Sequence, residues 1–281
     1  MGALMSESLG RLCRGRGRCP NVLAMTWMAP PHTAGDSIAR QLVDRTRSDP
    51  GRPLVTYLDQ DAGRMELSAA SVANGAAKAA GLLRDELDIQ PGDYVNVDLP
   101  RHWQSSIWCA ALSLVGAVAE LGPLDANSTT VIDSSRAIEA QGSEIIAVSL
   151  APFGLPSTDP LPDHAVDAAI AARAHADFFT PHVWPGNDAI ALRYNRQPST
   201  NAQVSTQARG IAAECGLRAG GRLLVTAPPD PADVLEQWLL LLAVPLIADA
   251  AVVLMHPHTG EDAGAVDHIR NSEGITATYG T

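Results

Sequence analysis

Leu87-Asp88-Ile89-Gln90-Pro91-Gly92-Asp93-Tyr94-Val95-Asn96-Val97-Asp98-Leu99-Pro100 reads as a helix end, a glycine turn, a short apolar strand and a proline stop. The same order returns at Cys215-Gly216-Leu217-Arg218-Ala219-Gly220-Gly221-Arg222-Leu223-Leu224-Val225-Thr226-Ala227-Pro228-Pro229. An apolar helix and a further apolar strand follow each copy, over Trp103 to Val115 and Ala117 to Leu121, then over Val234 to about Ala243 and Ala251 to Met255. A strand–helix–strand unit written twice implies a layered α/β protein built from two related halves. The expected architecture is α/β/α with pseudo-repeated lobes at about 36–187 and 188–281. The run Val234 to Met255 has the length of a membrane span, but Pro245 and Asp249 interrupt it and no basic residues flank it. It reads as buried core.

Around these copies the pattern stays α/β. Ile38, Leu42 and Val43 share one helical face after an Asp36 or Ser37 cap. Pro53 to Asp59 and Arg64 to Leu67 form two strands about the Asp61-Ala62-Gly63 turn. Ser68 caps a helix reaching about Leu87. Strands are expected at Thr130–Ile132, Glu144–Ser149 and Ala189–Arg193, and helices at Ser134–Gln141, Ala165–His175 and Ala202–Cys215. The Pro-rich stretch 151–164 is an extended connection. Ile275 to Tyr279 is a last strand.

The chain has 281 residues, 46% hydrophobic but only 4% aromatic, so its core is aliphatic. Its net charge of −11 argues against nucleic acid or anionic lipid as a partner. Residues 1–27 hold Arg11, Arg14, Arg16 and Arg18 in a glycine-rich, aperiodic context, and read as a disordered leader or a misplaced start. Cys13, Cys19, Cys109 and Cys215 show no paired spacing, which fits a reducing, cytoplasmic compartment. Lys78 is the only lysine, beside 19 arginines, as in a GC-rich bacterial genome.

The order of features resembles the N-terminal domain of the adenylate-forming superfamily of acyl-CoA synthetases, adenylation domains and luciferases. The likeness covers about residues 36–281 and rests on four anchors. They are the hairpin Leu54–Asp59 with Glu66-Leu67-Ser68, the turn Gln90-Pro91-Gly92-Asp93, the strand end Val97-Asp98-Leu99-Pro100, and Ala110-Leu112 with Gly116-Ala117. More narrowly, the chain is similar to short actinobacterial proteins of unknown function with marginal likeness to AMP-binding enzymes.

The resemblance implies a phosphate loop of the type Thr-Ser-Gly-Thr-Thr-Gly-x-Pro-Lys-Gly. Its glycines let backbone N–H groups approach phosphate, and its lysine neutralises charge. The matching stretch is Arg193-Tyr194-Asn195-Arg196-Gln197-Pro198-Ser199-Thr200-Asn201-Ala202-Gln203, and no glycine occurs between Gly186 and Gly210. Arg193, Arg196, Ser199 and Thr200 are the remaining cofactor-site candidates. The plain alternative is an ordinary strand-to-helix loop capped by Ser199 or Thr200. The family's Phe-His segment would fall near Pro228-Pro229-Asp230-Pro231, which has neither residue, and the mobile C-terminal lid with its catalytic lysine is expected to be absent.

A second candidate is a crevice beyond the repeat strands, at Arg101, His102 and Asp230, where open α/β sheets bind ligands. Ordinary surface solvation is the competing reading for each. His256-Pro257-His258 with Asp262 or Asp267 reads as a solvated loop rather than a metal site. No Gly-x-Ser-x-Gly elbow occurs. The expectation is therefore a protein without catalytic or metal residues, in a binding or regulatory role, with nucleotide or acyl-CoA as residual ligands. The alternatives are a divergent ligase using Arg193 or Arg196 and completed by a partner chain, or a structural partner. The last apolar run, 275–279, suggests a homodimer or protein partner.

Overall fold

The computed structural model describes residues 36–59, 63–123, 125–226, 234–256 and 263–280. The leader 1–27, Asp230 and the stretch from Pro257 to Asp262 lie outside them.

Helix α1 (Ile38–Ser48) starts where the Ser37 side chain accepts from the Arg40 amide, and it buries Ile38, Leu42 and Val43. A hairpin follows, β1 (Pro53–Leu58) with β2 (Arg64–Ser68). The Ser68 hydroxyl accepts from the Ser71 amide and opens α2 (Ala69–Gly81), which widens into a π-type turn over Leu82–Glu86. Gly92 takes φ +93°, a left-handed value costly for residues with a Cβ, and so turns the chain into β3 (Tyr94–Asp98). Then come α3 (Trp103–Val115) and β4 (Val118–Leu121). The chain continues through β5 (Thr129–Asp133), a 3₁₀ turn at Ser134–Glu139, β6 (Ile145–Val148), β7 (Ala165–Asp167) and the short α4 (Ala168–Ala171).

The second half begins with another hairpin, β8 (Ile190–Tyr194) and β9 (Gln197–Thr200), and runs into α5 (Asn201–Glu214) and β10 (Arg222–Val225). Next is one continuous helical stretch: α6 (Val234–Trp238), a π-type turn at Leu239–Ala243, and α7 (Val244–Ile247). Strand β11 (Ala251–Met255), helix α8 (Ala263–Ser272) and β12 (Ala277–Tyr279) complete the described fold.

Two sheets result, ordered β12-β10-β11-β1-β2 and β7-β6-β5-β3-β4-β8-β9. The run β12-β10-β11-β1-β2 has its counterpart in β5-β3-β4-β8-β9: in each, parallel strands end on one antiparallel hairpin edge. The repeat seen in sequence is thus longer than one strand–helix–strand copy, because each copy is preceded by its own hairpin and capped helix. Each hairpin also joins the sheet built by the other half. A division at 187/188 therefore does not separate the sheets, since β1–β2 lies with β10, β11 and β12, and β8–β9 lies with β3 and β4. Strand neighbours are chosen by long-range pairing, which local pattern does not encode.

The main core lies between the sheets. Helix α3 packs on α1, α2 and the π-type turn at 239–243, and it touches both β1 and β4. Outside, Leu224, Val253 and Met255 are covered by Val266, Ile269 and Ile275, while Ile132, Ala137, Ile145 and Ala147 form a smaller cluster on the other sheet. Pro245 does not break its helix. It has no N–H to give the carbonyl four residues earlier, Leu241, and the buried Ser106 hydroxyl donates there instead at 2.9 Å.

Two expected helices are corrected. Ala165–Asp167 pairs with β6 as an edge strand, so the helix begins later: the Asp167 side chain caps Ala168–Ala171, which continues as a 3₁₀ turn over Ala172–Ala174. Ser134–Glu139 is a 3₁₀ turn rather than an α-helix.

Candidate functional site

The segment matched to the phosphate loop is a tight hairpin. Asn195 and Arg196 have φ of 48° and 66°, the paired left-handed geometry of a two-residue hairpin turn, and register pairs Tyr194 with Gln197 and Arg193 with Pro198. Thr200 completes a capping box: its hydroxyl accepts from the Gln203 amide at 3.3 Å, and the Gln203 side chain accepts from the Thr200 amide at 2.8 Å. The ordinary strand-to-helix loop is accordingly replaced by an edge strand, with Thr200 rather than Ser199 as the cap.

Arg193 is committed elsewhere. Its Nε donates to the carboxylate of Glu120, which is only 3% exposed on β4, and its guanidinium lies 3.9 Å from the centre of the Tyr94 ring. The pairing of β4 with β8 sets Glu120 opposite Arg193. Arg196 is exposed at the turn. The only lysine, Lys78, donates to the His175 carbonyl at 3.1 Å and pairs with Asp177 at 2.5 Å, so it serves the α2 layer.

The crevice residues behave differently. A cavity of about 280 Å³ opens at the carboxyl ends of β3 and β4, lined by Asp98, Leu99, Arg101, Leu121, Trp238 and Leu241 among others. Strand β4 lies on one side of β3 and β5 on the other, so the cavity stands where strand order reverses. Asp98 is paired with Arg136 at 2.7 Å.

Arg101 is 5% exposed, and its Nε donates to the Met255 carbonyl at 2.8 Å. Its Nη1 and Nη2 are buried without a hydrogen-bond partner among the described residues. Burial lowers its pKa to about 10, opposed by the nearby Tyr57, so the guanidinium stays charged at neutral pH.

His102 turns the other way. Its Nδ1 accepts from the Gln104 amide at 3.2 Å as the cap of α3, and its ring meets Tyr57 edge-on at 4.4 Å between centroids. Burial pushes its pKa down to about 4 despite Asp59, and raises the Tyr57 phenol to about 12. His102 therefore belongs to a second cavity of about 170 Å³ with Tyr57, Asp59, Trp103 and Phe153. Arg101 and His102 are adjacent in sequence and both lie near Tyr57, but Arg101 is tied to the Met255 carbonyl whereas His102 caps α3.

The sequence did not mark Trp238 and Gln237 as crevice residues, because they stand inside an apolar run that reads as core. Their i, i+4 relation to Leu241 and Val234 was the available signal. Among the described residues no His, Cys, Asp or Glu cluster could hold a metal ion, and no helix is long and apolar enough to cross a membrane. Cys109 is buried, and burial pushes its thiol up.

No family model matches the chain. It is 35% identical over 229 residues to the "TIGR03089 family protein" of Mycobacterium tuberculosis (strain ATCC 25618 / H37Rv), a match covering 77% of this chain and 88% of that one. The chain belongs to the TIGR03089 family.

Among solved structures, this TIGR03089 member is similar to an acyl-CoA synthetase of Brucella canis, with TM-score 0.71, 17% identity and coverage of 91% of this chain and 49% of that one. Acetoacetyl-CoA synthetase from Streptomyces lividans gives TM-score 0.68 and 17% identity over 85% of this chain and 41% of that one. The fatty acyl-adenylate ligase of L. pneumophila gives 0.59 and 12%, over 85% and 43%. The fold is that of the N-terminal domain of adenylate-forming enzymes. The chain spans less than half the length of each of these three. Within that fold, this TIGR03089 protein carries the Asn195-Arg196 hairpin at the stretch matched to the phosphate loop.

Proposed function

We propose that this protein is a non-catalytic binding or regulatory member of the adenylate-forming fold, keeping a ligand crevice between its two halves while lacking ATP chemistry. The β8–β9 hairpin carries this reading. A phosphate loop needs several backbone N–H groups turned toward one anion. Here the segment is an edge strand closed by a two-residue turn, its arginine nearest the sheet is spent on Glu120, and its hydroxyl caps α5. The other half has a hairpin in the equivalent place, β1–β2, so the arrangement serves as scaffold in both.

Pyrophosphate exchange with ATP and a broad panel of carboxylic acids tests the reading. No acid-dependent exchange is expected. Exchange that Arg196→Ala abolishes would refute it and favour a second reading, a divergent ligase completed by a partner chain, for which the exposed guanidinium of Arg196 is the supporting observation.

An association role accompanies the main reading. Among the described residues strand β12 is an edge of its sheet, and an open edge invites a second copy or another protein.

A further inference from the structure

An apolar groove opens on the surface where the turn into β3, the end of α3 and the loop before β8 meet. It has a volume of about 300 Å³, and Pro91, Tyr94, Val183, Trp184 and Pro185 form its apolar wall. Val183 is 65% exposed and Tyr94 36%, while Trp184 is only partly buried against the core. A single exposed apolar side chain is ordinary, but several around one recess mark a surface that another segment covers. Gly92, Gly116 and Gly186 interrupt the wall without side chains of their own, which leaves room for an incoming backbone.

The described fold begins at the rim of this groove. The Asp36 amide donates to Asn187 Oδ1 at 2.9 Å, the Ser205 hydroxyl donates to the Asp36 carbonyl at 2.7 Å, and the Asp36 carboxylate pairs with Arg209 at 2.7 Å. Asn187 directly follows Gly186, a groove residue. Ile38, two residues further on, lines a neighbouring recess that shares Gly116, Pro185 and Ile190 with the groove. Met28-Ala29-Pro30-Pro31 lies outside the described residues, and its last proline precedes Asp36 by 36 − 31 = 5 residues. A span of that length reaches up to ~18 Å, so the groove is within range of the prolines.

We propose that Met28-Ala29-Pro30-Pro31 docks in this groove, with the two prolines against Trp184 and Tyr94 and Met28 beyond them. Proline-bearing segments suit aromatic-lined grooves, because a chain preset in the extended polyproline conformation loses little entropy on docking. A short tether adds an effective concentration of about millimolar, so even a weak contact is populated. The inference depends neither on the crevice nor on the absence of ATP chemistry.

Hydroxyl-radical footprinting of the full chain, read by mass spectrometry, tests it, since Met, Trp and Tyr side chains are oxidised according to their exposure. Trp184 and Tyr94 should oxidise faster, twofold or more, when Pro30→Gly and Pro31→Gly are combined. Met28 should oxidise more slowly in the wild-type chain than in a free peptide of residues 24–33, and Val183→Asp should remove that protection. Unchanged rates at Trp184 and Tyr94 in the glycine variant, or a Met28 rate equal to that of the peptide, would overturn the proposal. So would Met28 protection that persists in a folded Val183→Asp protein. Protection of Trp184 and Tyr94 that disappears on dilution would assign the groove to a second copy and equally defeat the idea. Should Val183→Asp not fold, the glycine variant decides alone, because its substitutions lie outside the described fold.

Discussion

His102 couples a helix cap to pH. Its Nδ1 accepts from the Gln104 amide only while unprotonated, and burial, with a smaller push from His256, holds its pKa near 4 against an ordinary 6.5. Below about 6.5 the unfolded chain takes up a proton that the native chain refuses. Stability from this group is therefore complete above pH 6.5 and is lost as pH falls toward 4, by roughly 3 kcal/mol at the full shift. Urea midpoints at pH 7 and 4.5 should differ accordingly. His102→Asn keeps a capping acceptor and should flatten the dependence. Equal pH slopes for the two proteins would show that other groups set it. Sequence placed Arg101 and His102 at the mouth of a strand, but not that the first would be tied to the Met255 carbonyl and the second to the start of α3. That depends on how the β3–α3 connection lies against Met255 in the opposite sheet. Arg193 is a similar case, since only the β4–β8 register reveals Glu120 as its partner.

Among the elements, the two hairpins and the proline-bearing helix are the most testable. Arg196 adopts φ 66° at a turn position that favours glycine. Arg196→Gly should leave the fold intact and make it more stable by about 0.5–1 kcal/mol, relief of the left-handed backbone outweighing the entropy of glycine. Chemical denaturation measures this, and a clear loss of stability would mean the arginine side chain holds the turn. Ser106→Ala removes the donor that satisfies the Leu241 carbonyl ahead of Pro245, and should cost about 1–3 kcal/mol. A cost near zero would show that water or the π-type turn supplies the missing bond. Helices α1, α2, α3 and α5 were legible from periodicity and caps. Strand β9 was not: Gln197-Pro198-Ser199-Thr200 lacks strand character, and pairing with β8 imposes it. Pro198 is tolerable there because β9 is an edge.

At the scale of the molecule, the repeat was readable and its exchange of hairpins was not, because the local signals of a hairpin are the same whichever sheet receives it. The open edge at β12 leads to an expected dimer or heteromeric complex, with an interface above about 1,000 Å². Light scattering at tens of micromolar should give more than the monomer mass, and amides of residues 277–279 should exchange slowly. A monomer with fast exchange there would rule this out. Ile275 is a poor probe of the question, because it packs with Leu224, Val253 and Met255 and its loss would weaken the fold itself.

The exchanged hairpins also dictate a schedule. Val55 of β1 pairs with Val252 of β11, a separation of 252 − 55 = 197 residues. At ribosomal rates of about 5–20 residues per second, the strand holding Leu54 and Val55 waits about 10–40 s for its parallel neighbour to be made. Throughout that interval its sheet has only β2 beside it, and an apolar strand with one open flank is a substrate for chaperones and for aggregation. Such distant pairing also slows the search for the native arrangement once the chain is complete. The symmetry that gives each half of the protein a hairpin from the other makes neither half able to finish its sheet alone: the seven-stranded sheet waits for β9 and the five-stranded sheet for β10, β11 and β12.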